Sequence, residues 1–150
     1  MVSLGDQAER FVIIEDTLEL QCAARNALQL HTTDAADMTR LVRATMRLRP
    51  DRIIIGEVRG KEALALLKAW NTGHPGGVTT LHANSASAAL LRLLSLVEEA
   101  GVPAQPQLIS EAVNLLAFIE RTSITGLRLT ELLHVEGYSQ STGFKFASAI

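Results

Sequence analysis

The stretch that decides the fold is LRPDRIIIGEVRG, residues 48–60. Its centre holds three consecutive isoleucines, Ile53–Ile55. Continuous β-branched runs are typical of strands that are covered on both faces of a parallel α/β sheet. Pro50 requires that any helix before this strand has already ended. The stretch therefore predicts a buried strand whose carboxyl end carries Gly56 and the carboxylate of Glu57.

Other apolar runs on either side of this stretch also predict strands. The run Phe11–Ile14 is equally apolar and leads directly into Glu15 and Asp16. Three further strands are expected, at Gly77–Leu81, Leu115–Glu120 and Leu127–Val135. Residues 137–150 are rich in Ser and Gly, which leaves open an edge strand or a loosely held end.

Helical spacing separates these runs. Met38, Leu41, Val42 and Thr45 repeat at i, i+3, i+4 and i+7, with Asp34 or Thr33 as the expected N-cap. Similar spacing predicts helices near residues 63–70 and 86–97, and a short one near 108–113. Because strands and helices alternate with short connections, we expect a three-layer α/β domain with a mainly parallel sheet.

Composition excludes several classes of protein. The 150 residues are 47% hydrophobic and 20% charged, which suits one domain with a real core rather than a disordered chain. The net charge of −2 gives no strong signal for nucleic-acid binding. No apolar run is long enough for a transmembrane segment, and no signal peptide is evident. Cys22 is the only cysteine, which excludes an internal disulfide and fits a reducing compartment.

Acidic residues and histidines cluster near the predicted strands. If the strands are neighbours, Glu15, Asp16, Glu57, His74 and His82 are expected to share one edge of the sheet. Carboxylates there can hold Mg²⁺ or accept a proton from water. The alternative is that they only cap helices and shape turns. No third nitrogen or sulfur ligand accompanies the two histidines, so no structural metal site is expected.

The arginines offer a second candidate surface. Arg40, Arg43 and Arg47 form one stripe of the predicted helix, and six arginines lie between positions 40 and 59. The stripe is either a solvated face or a contact for phosphate, nucleic acid or another subunit. A phosphate-cradling P-loop, G-x-x-x-x-G-K-[S/T], does not occur, because Glu62 follows the single Gly60-Lys61 pair.

Three segments in order resemble the hexameric secretion ATPases. Residues 11–20 resemble their Asp box and residues 48–60 their atypical Walker B segment, in which glycine replaces the usual aspartate before Glu57. Residues 71–84 resemble their His box. Residues 69–74 and 107–113 are most similar to the TrbB-type conjugal-transfer ATPases of type IV secretion, and the tight-adherence and type II pilus ATPases are the alternative.

The resemblance implies a truncated RecA-like P-loop NTPase core and a set of roles. Glu57, Glu15 and His82 would be catalytic, with Glu57 polarising the attacking water. Glu15, Asp16, Glu57, His74 and His82 would lie around Mg²⁺ and ATP. Subunit-interface arginines would be Arg47, Arg49, Arg52 and Arg59. The intact protein would be a cytoplasmic homo-hexamer, peripheral to the inner membrane and bound to its secretion machinery.

The sequence departs from this family at its start. The family carries an N-terminal domain and a Walker A P-loop before the Asp box, and neither is present here. Residues 1–138 are expected to be the C-terminal part of the ATPase domain, and residues 139–150 a tail. We therefore expect a chain that powers conjugative transfer only as part of a longer ATPase and is inactive alone. The alternative is a non-catalytic assembly or interaction module, because missing neighbours leave strand edges unpaired.

Overall fold

A computed structural model describes residues 8–122 and 126–150. Contacts divide the chain into two compact units, Met1–Leu81 and His82–Ile150. The first unit contains strands β1 (Phe11–Glu15), β2 (Ala27–His31), β3 (Arg52–Glu57) and β4 (Val78–Thr80), and helices α1 (Met38–Thr45) and α2 (Glu62–Asn71). The second contains helices α3 (Ala86–Glu98) and α4 (Pro106–Ala112), and strands β5 (Leu115–Thr122), β6 (Gly126–Ser139) and β7 (Gly143–Ser148).

The sheet of the first unit is parallel throughout, in the order β2-β1-β3-β4. The predicted strands at 11–14, 53–55 and 77–81 are therefore confirmed, as is the α/β class with a parallel sheet. Strand β2 was not predicted from the sequence. Its residues alternate between exposed and half-buried, because β2 lies at the edge of the sheet.

Central strands β1 and β3 form the core of this unit. Every residue of β1 is buried, and Ile53–Ile55 in β3 are at most 4% exposed. Phe11, Ile13 and Ile54 form one cluster, which is covered by Leu20, Cys22 and Ala24. The covering segment is irregular, whereas α1 and α2 pack against each other and α1 packs on β1.

Helix α1 begins later than the sequence predicted. Its N-cap is Asp37, whose carboxylate accepts the Arg40 N–H at 2.8 Å. The expected caps, Thr33 and Asp34, belong to a preceding turn, in which Thr33 and Ala36 exchange backbone hydrogen bonds of 3.1 and 3.0 Å. The prediction was wrong because this turn uses the backbone groups that a helix would need.

The second unit packs helices α3 and α4 on one face of an antiparallel sheet, β5-β6-β7. Ser85 caps α3 by accepting the Ala88 N–H, and the Glu131 carboxylate of β6 accepts the Ala86 N–H at 2.9 Å. Helix α4 and the strands at 115–120 and 127–135 match their predictions.

The end of the chain is a strand rather than a loose tail. Residues 143–148 form β7, which pairs with β6 through Ser139↔Gly143, so the edge-strand alternative is confirmed. The compact units divide at a different place from the predicted domain boundary at 138/139, and that boundary stays a prediction. None of the described helices has the length and apolar character needed to cross a membrane.

Candidate functional site

Two glutamates end adjacent strands at the carboxyl edge of the parallel sheet. Glu15 is the last residue of β1 and Glu57 the last residue of β3, and these strands pair in register. Glu15 lies beside His31 of β2, and Glu57 lies beside Thr80 of β4. In open α/β sheets, ligands bind beyond this edge. The structure therefore confirms the predicted placement of both glutamates at one edge.

Glu15 is a buried carboxylate, only 3% exposed. Its Oε1 accepts the backbone N–H groups of Glu19 and Leu20, at 3.1 and 2.8 Å. Its Oε2 is buried and has no hydrogen-bond donor among the residues that the structure describes. A buried acceptor without a donor is costly, and such sites commonly receive a ligand or a water. One oxygen thus orders the following loop, and the other is left for a donor or a cation.

Gly56 provides the space that the Glu15 side chain occupies. A Cβ placed on Gly56 would lie 3.2 Å from Glu15 Cγ and 3.7 Å from Glu15 Oε1. The first separation is tighter than ordinary van der Waals contact, so any larger side chain at position 56 must displace Glu15. The glycine before Glu57 therefore allows the carboxylate of the neighbouring strand to lie over β3.

Glu57 forms an ion pair with Arg59, with 2.5 Å between Glu57 Oε2 and Arg59 Nη2. The hydrogen bond that the Arg59 guanidinium donates to Glu57 raises the pKa of Arg59, and the charges of Glu57, Asp16 and Glu19 raise it further. The Arg59 backbone is fixed as well, because the Glu62 carboxylate accepts the N–H groups of Arg59 and Gly60 at 2.7 and 2.8 Å. In this structure Glu57 is therefore neutralised by an exposed arginine.

Two threonines at this edge were missed by the sequence analysis. The Thr32 hydroxyl donates to Asp16 Oδ1 at 2.9 Å, and the Thr80 hydroxyl donates to the Gly56 carbonyl at 2.7 Å. Both follow or end a strand, which is the signal that could have identified them. Thr32 orients the exposed Asp16 carboxylate, so Asp16 lies where it was predicted, next to Glu15 in the chain.

The predicted position of His74 is wrong. His74 precedes β4, and its Nδ1 lies 2.6 Å from the Pro50 carbonyl, just before β3 begins. In a parallel sheet this is the amino end, opposite to Glu15 and Glu57. The sequence analysis placed His74 with the carboxylates because it treated the whole glycine-rich segment as one end of the strand. The Pro50 carbonyl can only accept, so the Nδ1 of His74 carries the proton.

The glycine loop after His74 is fixed at the same amino end. Arg52 Nη1 donates to the Gly76 carbonyl at 3.1 Å, and the same guanidinium binds both oxygens of Glu9, at 2.7 and 2.8 Å. Trp70 Nε1 donates to the Ile53 carbonyl at 3.1 Å. A Cβ on Gly77 would overlap Trp70 Nε1 and the Ile53 carbonyl oxygen, so only glycine fits there.

His82 opens the second unit and is exposed. Its proposed contact with nucleotide stays a prediction, as do the roles of the other site residues.

The predicted interface arginines fall into two groups. Arg47 and Arg49 are exposed, and Arg49 has a positive φ of 51°. Arg52 and Arg59 instead form the ion pairs described above with Glu9 and Glu57.

The residues at this edge fit only part of the site for Mg²⁺ and ATP that the resemblance implies. Glu15 Oε2 and the Glu57 carboxylate suit the coordination of Mg²⁺ or of its bound water. No cluster of three or more His, Cys, Asp or Glu side chains able to hold a metal occurs within residues 8–122 and 126–150. The sequence also contains no P-loop for the phosphates. These residues therefore fit the acidic part of a magnesium nucleotide site and not its phosphate cradle.

A cavity of about 430 Å³ lies in the second unit, between residues 104–108 and 138–140. Its lining holds no carboxylate, histidine or cationic side chain, and Tyr138 is its ionisable residue.

Fold and site together define an α/β protein with a carboxylate pair beyond a parallel sheet. The family model described as "Type II/IV secretion system protein" matches residues 1–123. The chain belongs to this family.

Particular relatives are conjugal-transfer and type IV secretion proteins. The chain is 59% identical over 130 residues to "Conjugal transfer protein TrbB" of Rhizobium radiobacter, a match that covers 87% of this chain and 40% of the relative. It is 36% identical over 134 residues to "Type IV secretion system protein PtlH" of Bordetella pertussis, covering 80% and 40%. The chain thus spans about 40% of the length of these curated relatives.

A solved structure is similar as well. The VirB11 ATPase from the Brucella suis type IV secretion system, crystallised in complex with sulphate, matches with a TM-score of 0.79 and 25% identity. The match covers 86% of this chain and 41% of that one. The similarity confirms the predicted fold class.

Proposed function

We propose that this chain is the C-terminal part of an ATPase domain that hydrolyses ATP to power conjugative transfer or type IV secretion. The observation that carries the proposal is the pair Glu15 and Glu57. These residues end adjacent parallel strands, and Gly56 leaves the space that the Glu15 side chain occupies. The family membership and the resemblance to the VirB11 ATPase support it. The TrbB-type conjugal-transfer proteins are the favoured subfamily.

The chemistry of this site would be positioning and charge stabilisation of phosphoryl transfer to water. Mg²⁺, when bound, would neutralise charge that develops on the phosphates. Glu57 would polarise the attacking water once a ligand displaces Arg59 from it. Glu15 and Asp16 would hold the magnesium and its waters, and His82 would report the state of the nucleotide. His74 stays a predicted nucleotide ligand, but its hydrogen bond to Pro50 favours a structural role.

The assembly is proposed from the family resemblance. Six copies of the whole protein would form a ring in the cytoplasm, peripheral to the inner membrane and bound to its secretion machinery. Of the four predicted interface arginines, Arg47 and Arg49 are exposed and available for a subunit contact. Arg52 and Arg59 would have to exchange their present carboxylate partners.

The first test is a calorimetric titration of the purified 150-residue chain with Mg-ATP, with hydrolysis assayed on the same sample. We expect no turnover, because the lysine and the backbone amides of a P-loop are not part of this sequence. Turnover that survives Glu57→Gln would refute the assigned role of Glu57.

A second test supplies the P-loop from a relative. The matching region of the Rhizobium radiobacter TrbB protein is replaced by this chain, and ATP turnover is compared with that of the parent. We expect Glu57→Gln to lower the turnover of the chimera by at least about 100-fold, the scale of general base catalysis. Glu98→Gln is the matched control, because Glu98 is exposed at the end of α3 and lies outside the three segments that resemble the ATPase motifs. Equal effects of both substitutions would contradict the mechanism.

A non-catalytic assembly module is the second candidate function. It is favoured by the open outer edges of the described sheets, at β2 and β4 in the first unit and at β5 and β7 in the second.

A further inference from the structure

Strand β2, which the sequence analysis missed, ends beside the carboxylates of the candidate site. Its last residue, His31, lies opposite Glu15 in the register of the parallel sheet. Thr32 continues this pairing by one step, because its N–H donates to the Glu15 carbonyl at 3.1 Å. Thr32 therefore lies at the carboxyl edge of the sheet, beside Asp16, the residue that follows Glu15.

The Thr32 side chain binds Asp16 from a fixed position. Its hydroxyl donates to Asp16 Oδ1 at 2.9 Å, and Thr32 itself is half-buried. The residues that follow form the turn in which Thr33 and Ala36 exchange backbone hydrogen bonds. Because threonine is branched at Cβ, its side chain has few rotamers. The backbone and the side chain together therefore keep the Thr32 hydroxyl in one place relative to the sheet.

Asp16 is an exposed acid on an ordered loop. In water, an exposed side chain without a partner samples several rotamers, and the Thr32 hydroxyl restricts them. The far end of the loop is held as well. The Leu20 N–H donates to Glu15 Oε1 at 2.8 Å, and the Gln29 amide donates to the Leu20 carbonyl at 2.9 Å. Strand β2 thus holds the loop at both ends, through Thr32 and Gln29.

The charge of Asp16 acts close to Glu57. The hydrogen bond to Glu57 raises the pKa of the Arg59 guanidinium most, and the charge of Asp16 raises it further. Interactions between exposed charges are screened beyond about 10 Å in salt, so Asp16 acts at short range. Asp16 therefore borders the same acidic edge as the glutamate that is proposed to polarise water.

We propose that Thr32 is a positioning residue for Asp16 in the magnesium site. By holding Oδ1, its hydroxyl restrains the carboxylate and leaves Oδ2 to bind Mg²⁺ or one of its waters. Losing the hydrogen-bond partner of a metal-binding group typically lowers metal affinity about 10–100-fold. The inference rests on the proposed function, because Thr32 has this role only if Asp16 binds magnesium. If Thr32 and Asp16 only shape the turn, metal affinity does not depend on the hydroxyl.

Mn²⁺ binding to the TrbB chimera tests the proposal. With saturating ADP present, electron paramagnetic resonance counts free Mn²⁺, which substitutes for Mg²⁺. We expect Thr32→Val to raise the dissociation constant of Mn²⁺ about tenfold, and Thr32→Ser, which keeps the hydroxyl, to raise it less than about threefold. Thr33→Val is the matched control and should leave the constant unchanged, because Thr33 is exposed and contributes its backbone groups to the turn.

A double-mutant cycle separates positioning from a structural role. Thr32→Val should change the Mn²⁺ constant by less than about twofold in the Asp16→Ala background, since Thr32 acts through Asp16. Urea unfolding of the 150-residue chain shows whether each variant keeps the fold. An equal increase in both backgrounds would overturn the proposal. So would an Asp16→Ala variant with unchanged Mn²⁺ affinity, or a Thr32→Val variant that loses only stability.

Turnover of the same chimera tests the proposed function separately. If Glu57→Gln lowers turnover while Thr32→Val leaves Mn²⁺ binding unchanged, the positioning role alone is refuted. If Glu57→Gln leaves turnover unchanged, the proposed function fails. The Mn²⁺ titration then still decides whether Thr32 positions a metal-binding Asp16.

Discussion

Replacing Gly56 with alanine is expected to destabilise the fold through Glu15 rather than through the glycine itself. The added Cβ would lie 3.2 Å from Glu15 Cγ, so the side chain must move by a few tenths of an ångström. It cannot move freely, because Glu15 Oε1 holds the N–H groups of Glu19 and Leu20 at 3.1 and 2.8 Å. Hydrogen bonds to a charged group contribute about 1.5–3 kcal/mol each. Partial loss of two of them predicts a cost of about 1–3 kcal/mol.

A double-mutant cycle in urea isolates this cost. We expect Gly56→Ala to lower the free energy of unfolding in the wild-type background and to change it by less than about 0.5 kcal/mol in the Glu15→Ala background, where the Cγ is gone. Amide hydrogen exchange at Glu19 and Leu20 should accelerate in the Gly56→Ala variant. An equal cost in both backgrounds would refute the reasoning, since the effect would then come from the backbone of β3 and not from the glutamate.

Three further predictions concern the contact of Gly77 and the hydrogen bonds at the starts of α1 and α3. Gly77→Ala should cost about 2–4 kcal/mol, measured by thermal unfolding, because its Cβ would overlap Trp70 and a backbone carbonyl; a loss below 1 kcal/mol would contradict the observed fit. The hydrogen bond from the Arg40 N–H lowers the pKa of Asp37 below 3.8, so its contribution to stability is complete above pH 3.8 and is lost as the pH falls through the folded-state value. Titration of its carboxyl ¹³C resonance should show the depressed midpoint, and a midpoint at or above 3.8 would exclude the cap. Glu131→Gln should cost about 1 kcal/mol in urea, because a neutral amide binds the Ala86 N–H at the start of α3 more weakly; an unchanged midpoint would show that Ser85 caps the helix alone.

The elements that the sequence predicted well are those whose pattern is local. Consecutive β-branched residues identified β1 and β3, because burial on both faces leaves no room for polar residues. Helical spacing identified all four helices of the described chain, and only the start of α1 was misplaced. Strand β2 was missed because it lies at the edge of the sheet, where its residues are only half-buried or exposed. Its five residues therefore form no continuous apolar run that would predict a strand.

The candidate site was only partly predictable for a related reason. A residue that directly ends a strand must lie at its carboxyl edge, so Glu15 and Glu57 followed from the two strand predictions. His74 did not, because the boundary between loop and strand in the glycine-rich segment decides which end of the sheet it occupies. The link between Gly56 and Glu15 joins residues of neighbouring strands, and only the register of the sheet reveals it.

The way β4 is fixed has a consequence for the edge of the parallel sheet. Among the described residues, this three-residue strand has a neighbour on one side only, and it would be expected to fray. Contacts instead hold the strand at both ends. Gly77 lies against Trp70 just before the strand begins. At its end, the Thr80 hydroxyl donates to the Gly56 carbonyl, and the Thr80 carbonyl accepts the Val58 N–H. Between these two sets of contacts the strand is about 10 Å long. Its outward-facing N–H and C=O groups are therefore already ordered. A further strand that pairs with β4 would not have to order them first.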